Sequence, residues 1–232
     1  MRPILGVFIL TLGLLFTASP CARAESLDDF VTRIIASDTL GTPEQYMFTA
    51  EETVISYQDK KRTEKKGAVF SQKRYTIYGE DSVEVEVLST TVEGDSLPDN
   101  GKGNSEERET LADEDMPFNT NTLPDYIYED LGVVTLNSES TRKIRFRSKK
   151  RSKNKIDGIA WFDPTTAYLE RMDFEYARKP FAIKDFSAVL KLTYRDGYKF
   201  LSYFEMELRV KVPIIMEMNL SVKQVITKID VL

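Results

Sequence analysis

The chain has 232 residues, of which 37 are acidic, 32 are basic and none is histidine, so its formal net charge is −5. The absence of histidine excludes serine–histidine–aspartate and cysteine–histidine catalytic sites and most zinc and iron sites. The net negative charge argues against nucleic acid as a partner. The composition therefore favours a protein that is not an enzyme and that uses no cofactor and no metal.

The first 24 residues have the pattern of a secretory signal peptide. Arg2 gives a charged start, residues 4–17 form an apolar run, and residues 22–24 read Ala-Arg-Ala, a small-residue cleavage site. The run is too short to cross a bilayer, which takes about 20 apolar residues. We predict that residues 1–24 are removed, although a retained N-terminal anchor is an alternative, and that residues 25–232 form a single exported domain.

Cys21 is the one cysteine of the chain and could instead carry the lipid of a bacterial lipoprotein. The proline before it and the missing leucine three positions earlier weaken that interpretation. Cleavage after Ala24 discards Cys21 and leaves a mature chain without disulfides. A bacterial periplasmic location is therefore predicted, because secreted eukaryotic domains tend to use disulfides.

A helix is predicted at the start of the mature chain. Ser26 can cap it, and Asp28 and Asp29 suit its positive end. Gly41 and Pro43 end the pattern. Apolar residues recur at helical spacing at Leu27, Phe30, Val31, Ile34 and Ile35.

Almost all of the remaining chain alternates between apolar and polar residues with the period of a β-strand. Residues 127–136 fit either a strand or a short helix and a strand, and a second short helix is predicted near 123–131. We expect nine to eleven strands, nearly all antiparallel, in a mainly β (α+β) fold. The other predicted strands cover residues 46–57, 68–78, 83–92, 141–148, 186–194, 198–212 and 217–229.

Residues 93–115 interrupt this pattern with many acids and few apolar residues. They are predicted to form a long, mobile, acidic loop. Calcium loops place carboxylates at fixed offsets around a glycine, and no such register occurs here. A metal site is not expected.

Residues 198–212 form the longest predicted strand, about 50 Å at ~3.3 Å per residue, which suits a large and strongly curved sheet. Methionines and aromatics dominate its apolar face and the segment that follows. This face is either a packed core or a concave surface left partly open to an apolar ligand, because one helix cannot cover nine or more strands. The candidate ligand-binding residues here are Tyr198, Phe200, Phe204, Met206, Leu208, Met216 and Met218.

Residues 158–176 contain the single tryptophan, Trp161, close to an Asp-Pro turn. Asp163 is an expected turn former, so the stretch is interpreted as a hairpin and not as a chemical site. Trp161 alternates with Ile159 and is predicted to face the apolar side. Met172 and Phe174 on the returning strand are added with it to the candidate ligand-binding residues.

Residues 142–155 hold nine lysines and arginines in fourteen positions and no acid. Two interpretations remain open for this basic run. It is a solvated hairpin tip, or it contacts anionic lipid headgroups or an acidic partner surface. The candidate contact residues are Lys149, Lys150, Arg151 and Lys153.

The hairpin resembles a motif, G-x-x-W-x-D-x-x-T-x-x-x-x-R, of the periplasmic outer-membrane lipoprotein-sorting (LolA- and LolB-like) family. The matching residues are Gly158, Trp161, Asp163, Thr166 and Arg171. Together with the strand order, the resemblance covers most of 27–232 loosely. It implies an unclosed antiparallel β-barrel, lidded by helices, whose apolar concave face shelters acyl chains. The acidic segment has no counterpart in the motif, and only one lid helix is clear.

The sequence thus predicts a non-enzymatic periplasmic binder or carrier of a hydrophobic ligand. The expected partner is a lipid or a lipidated protein, with an envelope membrane protein as a further possibility, and the chain is expected to be a monomer. An envelope protein-interaction or sensor module with the same fold and a filled core is the alternative. An envelope enzyme is a third hypothesis without an identifiable nucleophile or acid–base pair.

Overall fold

The computed structural model describes residues 25–37, 40–41, 43–78, 82–94, 116–212 and 216–232. The predicted signal peptide, 1–24, lies outside these residues. Helix α1 spans Leu27–Ser37, and a 3-10 helix spans Leu123–Asp125. The strands are β1 (Gln45–Tyr57), β2 (Lys65–Tyr78), β3 (Ser82–Gly94), β4 (Tyr126–Leu136), β5 (Glu139–Ser148), β6 (Ile156–Phe162), β7 (Leu169–Tyr176), β8 (Ile183–Arg195), β9 (Tyr198–Val212) and β10 (Met216–Val231).

All ten strands belong to one antiparallel sheet with the order β3-β2-β1-β10-β9-β8-β7-β6-β5-β4. Strands that are consecutive along the chain are paired, except β3 and β4, which form the two edges of the sheet. The first strand, β1, also pairs with the last strand, β10. The sheet is therefore an unclosed barrel. The predicted fold class, mainly β with one or two helices, is confirmed. No helix among the described residues is long and apolar enough to cross a membrane.

Helix α1 packs on one face of the sheet, which we call the inner face. Ser26 caps the helix, since its hydroxyl accepts a hydrogen bond from the Asp29 amide at 3.1 Å. The helical spacing turns Phe30, Val31 and Ile34 inward, and all three are buried. They join one hydrophobic core with residues of β5 to β8 and of the segment before β4.

Strand pairing aligns inner-face residues in rows that run across the sheet. One row begins at Ile144 on β5 and ends at Thr90 on β3. Its members are Ile144, Ala160, Met172, Leu190, Phe204, Gln224, Glu52, Ser71 and Thr90. The first five pack in or against the helix-facing core, and the last four are polar. We call β4–β8 the covered half and β1–β3 with β9 and β10 the open half.

Gly158 of the motif permits the close packing of the covered half. A Cβ atom there would lie 2.2 Å from the carbonyl oxygen of Asp173 and 2.7 Å from the ring of Phe146. Neither contact is sterically possible, so the ring of Phe146 occupies the space above the glycine. Phe146 is completely buried as a result.

Two boundaries differ from the sequence-based prediction. Strand β3 continues to Gly94, so Glu93 and Gly94 belong to the sheet and not to the predicted loop 93–115. Gly94 pairs with Gly67 at a φ of +72°, a backbone conformation that glycine adopts readily. The rest of that loop, 95–115, lies outside the described residues. The second helix is only the three-residue 3-10 turn, and β4 follows it at once.

Candidate functional site

The hairpin turn that contains Asp163 is structural. The Asp163 carboxylate accepts hydrogen bonds from the Thr165 and Thr166 amides, both at 2.7 Å. The Ala167 amide donates to the Asp163 carbonyl at 2.9 Å, and Ala167 closes the turn with a φ of +61°. All of these contacts fix the backbone, as the prediction of a turn requires.

The same turn holds helix α1 against the sheet. The Arg33 guanidinium donates to the carbonyls of Thr165 and Pro164 at 2.6 and 2.8 Å. The Ser37 hydroxyl donates to the Ala167 carbonyl at 3.2 Å. The exposed carbonyls of the turn thus anchor the middle and the end of the helix.

Arg142 fastens the other end of the helix, and the sequence analysis missed it. Its guanidinium donates to Asp130 at 2.6 Å and to Glu25 at 3.3 Å, and lies 4.3 Å from the centroid of the Phe30 ring. Burial would raise the pKa of Asp130, but the hydrogen bonds from Arg142 and the Gly132 amide outweigh it and lower that pKa. The sequence signal that could have identified Arg142 is the alternation of β5, because it places Arg142 on the same face as Ile144.

Trp161 lies on the outer face, and not on the inner face that carries most of the other candidate ligand-binding residues. It shares a face with Ile159 as expected, but that face also carries Lys143 and Arg171. The Lys143 ammonium and the Arg171 guanidinium each lie 5.1 Å from the indole centroid. These cation–π contacts stabilise an aromatic ring outside the core. Alternation shows which residues share a face, and cannot show which face is covered.

Four candidate residues lie away from the open surface. Met172 and Phe174 are on the inner face, but they belong to the filled core of the covered half, with exposed fractions of 0% and 7%. Phe200 is buried against Tyr46, with 5.6 Å between the ring centroids, while Tyr198 lies at the rim. Met172, Phe174 and Phe200 are packed against protein and present little surface to a ligand, whereas Tyr198 is 36% exposed.

Phe204, Met206, Leu208 and Met218 do share the inner face of the open half, and all four are half-buried. Met206 pairs with Val222, and the same row continues through Val54 and Val69 to Val92 on β3. Met216 begins β10, and its side chain lies outside the described part. We define the open surface as Val54, Val69, Val85, Val87, Val92, Phe204, Met206, Leu208, Met218, Leu220 and Val222.

The β3 valines make the open surface accessible. Val85, Val87 and Val92 are each more than half exposed. They pair with inner-face positions of β2, so they continue the surface of Met206 and Leu220 to the edge of the sheet. Apolar side chains in a row on one face are ordinarily covered. Among the described residues, no helix packs on this half.

A polar cluster centred on Glu52 crosses the open surface. The Glu52 carboxylate accepts hydrogen bonds from the Lys73 ammonium at 2.6 Å, the Gln224 amide at 2.8 Å and the Tyr75 hydroxyl. Burial would raise the pKa of Glu52, but the hydrogen bonds from Lys73 and Tyr75 outweigh it and lower that pKa. The side chain of Glu52 is only 12% exposed. The cluster offers hydrogen-bonding groups beside an apolar surface.

The four basic candidates lie at one end of the sheet, in the β5–β6 loop. Lys149 donates to the Pro124 carbonyl and Arg151 donates to the Ala177 carbonyl, both at 2.6 Å. Lys150 and Lys153 are exposed. Two of the four thus hold neighbouring loops together, while the other two face solvent.

No group of described His, Cys, Asp and Glu residues could hold a metal ion. A cleft of about 940 Å³ lies between β4–β5, β7–β8 and β10, and is lined by residues such as Glu170, Arg171, Lys191 and Arg195. Charged, neutral polar and apolar side chains all line it, and the candidate ligand-binding residues are not among its lining. The open surface is a broad face and not an enclosed cavity.

Comparison with known proteins gives structural matches alone. No family model matches the sequence, and no curated protein matches it. A LolA superfamily protein from Nitrosomonas europaea is 9% identical, with a TM-score of 0.40 over 87% of this chain and 93% of that chain. A putative outer membrane lipoprotein-sorting protein domain from Vibrio parahaemolyticus is 10% identical, with a TM-score of 0.39 over 88% and 91%.

The MucA/MucB complex of Pseudomonas aeruginosa also matches, at 8% identity and a TM-score of 0.27 over 88% of this chain and 98% of that chain. The first two proteins are of the kind that the hairpin motif resembles.

Proposed function

We propose that the protein is a non-enzymatic, periplasmic binder or carrier of a hydrophobic ligand and that the open surface is the binding site. The observation that supports this is the contrast on one continuous inner face. The covered half buries its apolar residues beneath α1, whereas Met206, Met218 and the β3 valines remain half-buried or exposed. An acyl chain laid on them would supply the missing cover.

The chemistry of the surface suits a lipid or the acyl chains of a lipidated protein. Each methylene removed from water contributes ~0.8 kcal/mol, so a long apolar surface alone gives useful affinity. Methionines adapt to chains of different shape. The Glu52 cluster would contact a polar part of the same ligand, because its hydrogen-bonding groups lie in the row beside Met206 and Val222.

Native mass spectrometry of the mature protein, prepared without detergent, tests this proposal. We expect a co-purifying lipid, or uptake of added phospholipid, that is lost in the double variant Met206→Gln/Met218→Gln. Glutamine keeps the length of methionine but makes the surface polar. Met47→Gln is the matched control, because Met47 is half-buried on the outer face of β1. Equal uptake by folded forms of both variants would contradict the proposal.

A second candidate, the protein-interaction module, is favoured by one observation. Strand β3 is an edge strand of 13 residues, all of them exposed. Such an edge can pair with an extended segment of another protein. Val85→Pro on the edge strand should then abolish capture of the partner, whereas Met206→Gln/Met218→Gln, which leaves the backbone of β3 unchanged, should retain it. Loss of capture in the methionine variant, or retained capture in Val85→Pro, would argue against pairing at this edge.

A further inference from the structure

Phe181 is the most exposed large hydrophobic residue in the described part of the chain, with 82% of its surface accessible. It lies in the β7–β8 loop, residues 177–182. The Ile183 amide donates to the Pro180 carbonyl at 3.0 Å, and Lys184 donates to the Phe181 carbonyl at 3.2 Å. A hydrogen-bonded turn therefore holds the ring in solvent, although burial of an aromatic ring is energetically favourable.

One cation lies against this ring, and two more lie in the same loop. The Lys184 ammonium lies 5.4 Å from its centroid, and Arg178 and Lys179 precede it in the same loop. The β5–β6 loop, residues 149–155, is joined to this loop by two hydrogen bonds. Arg151 donates to the Ala177 carbonyl at 2.6 Å, and the Ala177 amide donates to the Lys155 carbonyl at 2.8 Å. We call the two loops together the tip.

The acids near the tip are mostly engaged. Asp125 pairs with Lys155 at 2.9 Å, and Asp185 pairs with Lys179 at 3.2 Å. Glu175 is the other exposed acid beside the loops. Lys150, Lys153 and Arg178, together with Lys184 beside them, leave the tip positive on a chain whose net charge is −5.

We propose that the tip docks on the surface of a bilayer that contains anionic lipids. The Phe181 ring would enter the interface between headgroups and acyl chains, while the surrounding lysines and arginines contact lipid phosphates. Lysine and arginine suit this place because their aliphatic parts cover apolar groups while their charges stay in water. An acidic protein surface would need the cations but not a projecting, solvent-exposed aromatic ring.

The open surface reaches the same end of the sheet as the tip. Ile183 directly follows the β7–β8 loop and pairs with Val210, which pairs with Met218. The Lys211 amide donates to the Ala182 carbonyl at 2.8 Å. Docking through Phe181 would therefore bring the end of the open surface to the membrane. The docking itself does not rest on the proposed lipid-binding function.

Co-sedimentation of the mature protein with vesicles tests the proposal. We expect binding to vesicles of phosphatidylcholine with phosphatidylglycerol and weak binding to phosphatidylcholine alone. Phe181→Ala should lower the affinity about tenfold. Lys150→Gln/Arg178→Gln should lower it about twenty-fivefold, at about fivefold for each charge. Val133→Ala and Arg195→Gln/Lys228→Gln are the matched controls, since they remove an exposed apolar residue and two cations elsewhere.

A fluorescent variant separates a bilayer from a protein partner. With Trp161→Phe as background, Phe181→Trp places the one tryptophan in the tip. Its emission should shift to the blue on anionic vesicles and be quenched by brominated acyl chains. No shift, or affinity unchanged by Phe181→Ala, would overturn docking on a membrane, and equal binding to neutral vesicles would overturn the role of the anionic lipids. Native mass spectrometry of Phe181→Ala should still show lipid uptake, which distinguishes this test from that of the proposed function.

Discussion

The covered and the open half belong to one sheet with unbroken pairing, but they bury their apolar residues to different extents. In the covered half, the rings of Phe30 and Phe118 pack edge-on against Phe162, which is completely buried. In the open half, Met206 occupies an equivalent inner-face position and is only half-buried. The strands are alike, so the cover above them makes the difference. Whether a strand face is a core or a binding surface depends on what is packed above it.

The largest expected effect of a substitution on stability is in the covered half. Phe162→Ala removes a ring that lies 4.9 Å from Phe118 and 6.1 Å from Phe30, centroid to centroid. The cavity should lower the free energy of unfolding by about 3–5 kcal/mol, measured by urea denaturation. Met206→Ala in the open half should cost only about 1 kcal/mol, because less area leaves water there. Equal losses would show that the open half is as well packed as the covered half.

The next largest effect on stability is expected where Arg142 attaches helix α1 to the sheet. Arg142→Met keeps the aliphatic bulk but leaves Asp130 without its ion pair and removes the contact with Phe30. We expect a loss of about 2 kcal/mol, below the range for a fully buried pair because Asp130 is partly exposed. Hydrogen exchange should quicken in α1 and remain unchanged in β1 and β2.

Arg145→Met on the same strand is the control for this prediction. Arg145 pairs with Glu129 on the outer face at 2.5 Å, where both side chains are partly exposed. Exposed pairs contribute between 0 and about 1 kcal/mol, so this variant should stay close to the wild type. If the two variants lost equal stability, Arg142 would not be holding the helix.

Local patterns were sufficient to predict most of the secondary structure. The helical spacing of Phe30, Val31 and Ile34 gave the buried side of α1, and strict alternation gave the paired strands. The position of Trp161 was not predictable, because both faces of β6 carry apolar residues. Only the tertiary arrangement shows that Lys143 and Arg171 flank its ring.

The candidate site was predicted in part for the same reason. Met172 and Met206 have the same alternation and the same residue type, so the sequence placed both in one surface. The structure separates them, because α1 covers the strands around Met172 and does not reach Met206. The contacts of Glu52 with Lys73 and Gln224 join residues that are far apart in the sequence, so no local sequence pattern predicts them.

A smaller effect is expected for the polar cluster of the open half. Glu52→Gln removes the ion pair with Lys73 and should cost about 1 kcal/mol at neutral pH. The pKa of Glu52 is lowered in the folded protein. Its contribution to stability is therefore complete above the ordinary glutamate pKa of about 4.3 and is lost as the pH falls through the lower, folded value.

Urea denaturation at several pH values measures this contribution. The difference in unfolding free energy between wild type and Glu52→Gln should be constant near neutral pH and disappear in acid. The difference isolates Glu52 from the other carboxylates, which titrate in both proteins. A difference that grew in acid would mean that the folded pKa is raised and that burial outweighs the hydrogen bonds.

The smallest effect on stability should accompany a clear effect on ligand uptake. Val85→Thr/Val87→Thr changes two methyl groups to hydroxyls without changing side-chain shape. Both valines are more than half exposed, so the free energy of unfolding should change by less than about 0.5 kcal/mol. Lipid affinity, measured by titration, should fall about tenfold, since each hydroxyl must lose water when an acyl chain covers it.

Ile127→Thr is the matched control for that pair. Ile127 is 58% exposed, but it lies on β4 opposite Arg147, on the outer face. It should change neither stability nor lipid affinity beyond the error of measurement. Because all three positions are equally accessible in the protein alone, a difference in affinity between them can arise only from where the ligand lies. Equal affinities would mean that the exposed valines of β3 are not covered by lipid, and that the edge strand exposes them for another partner.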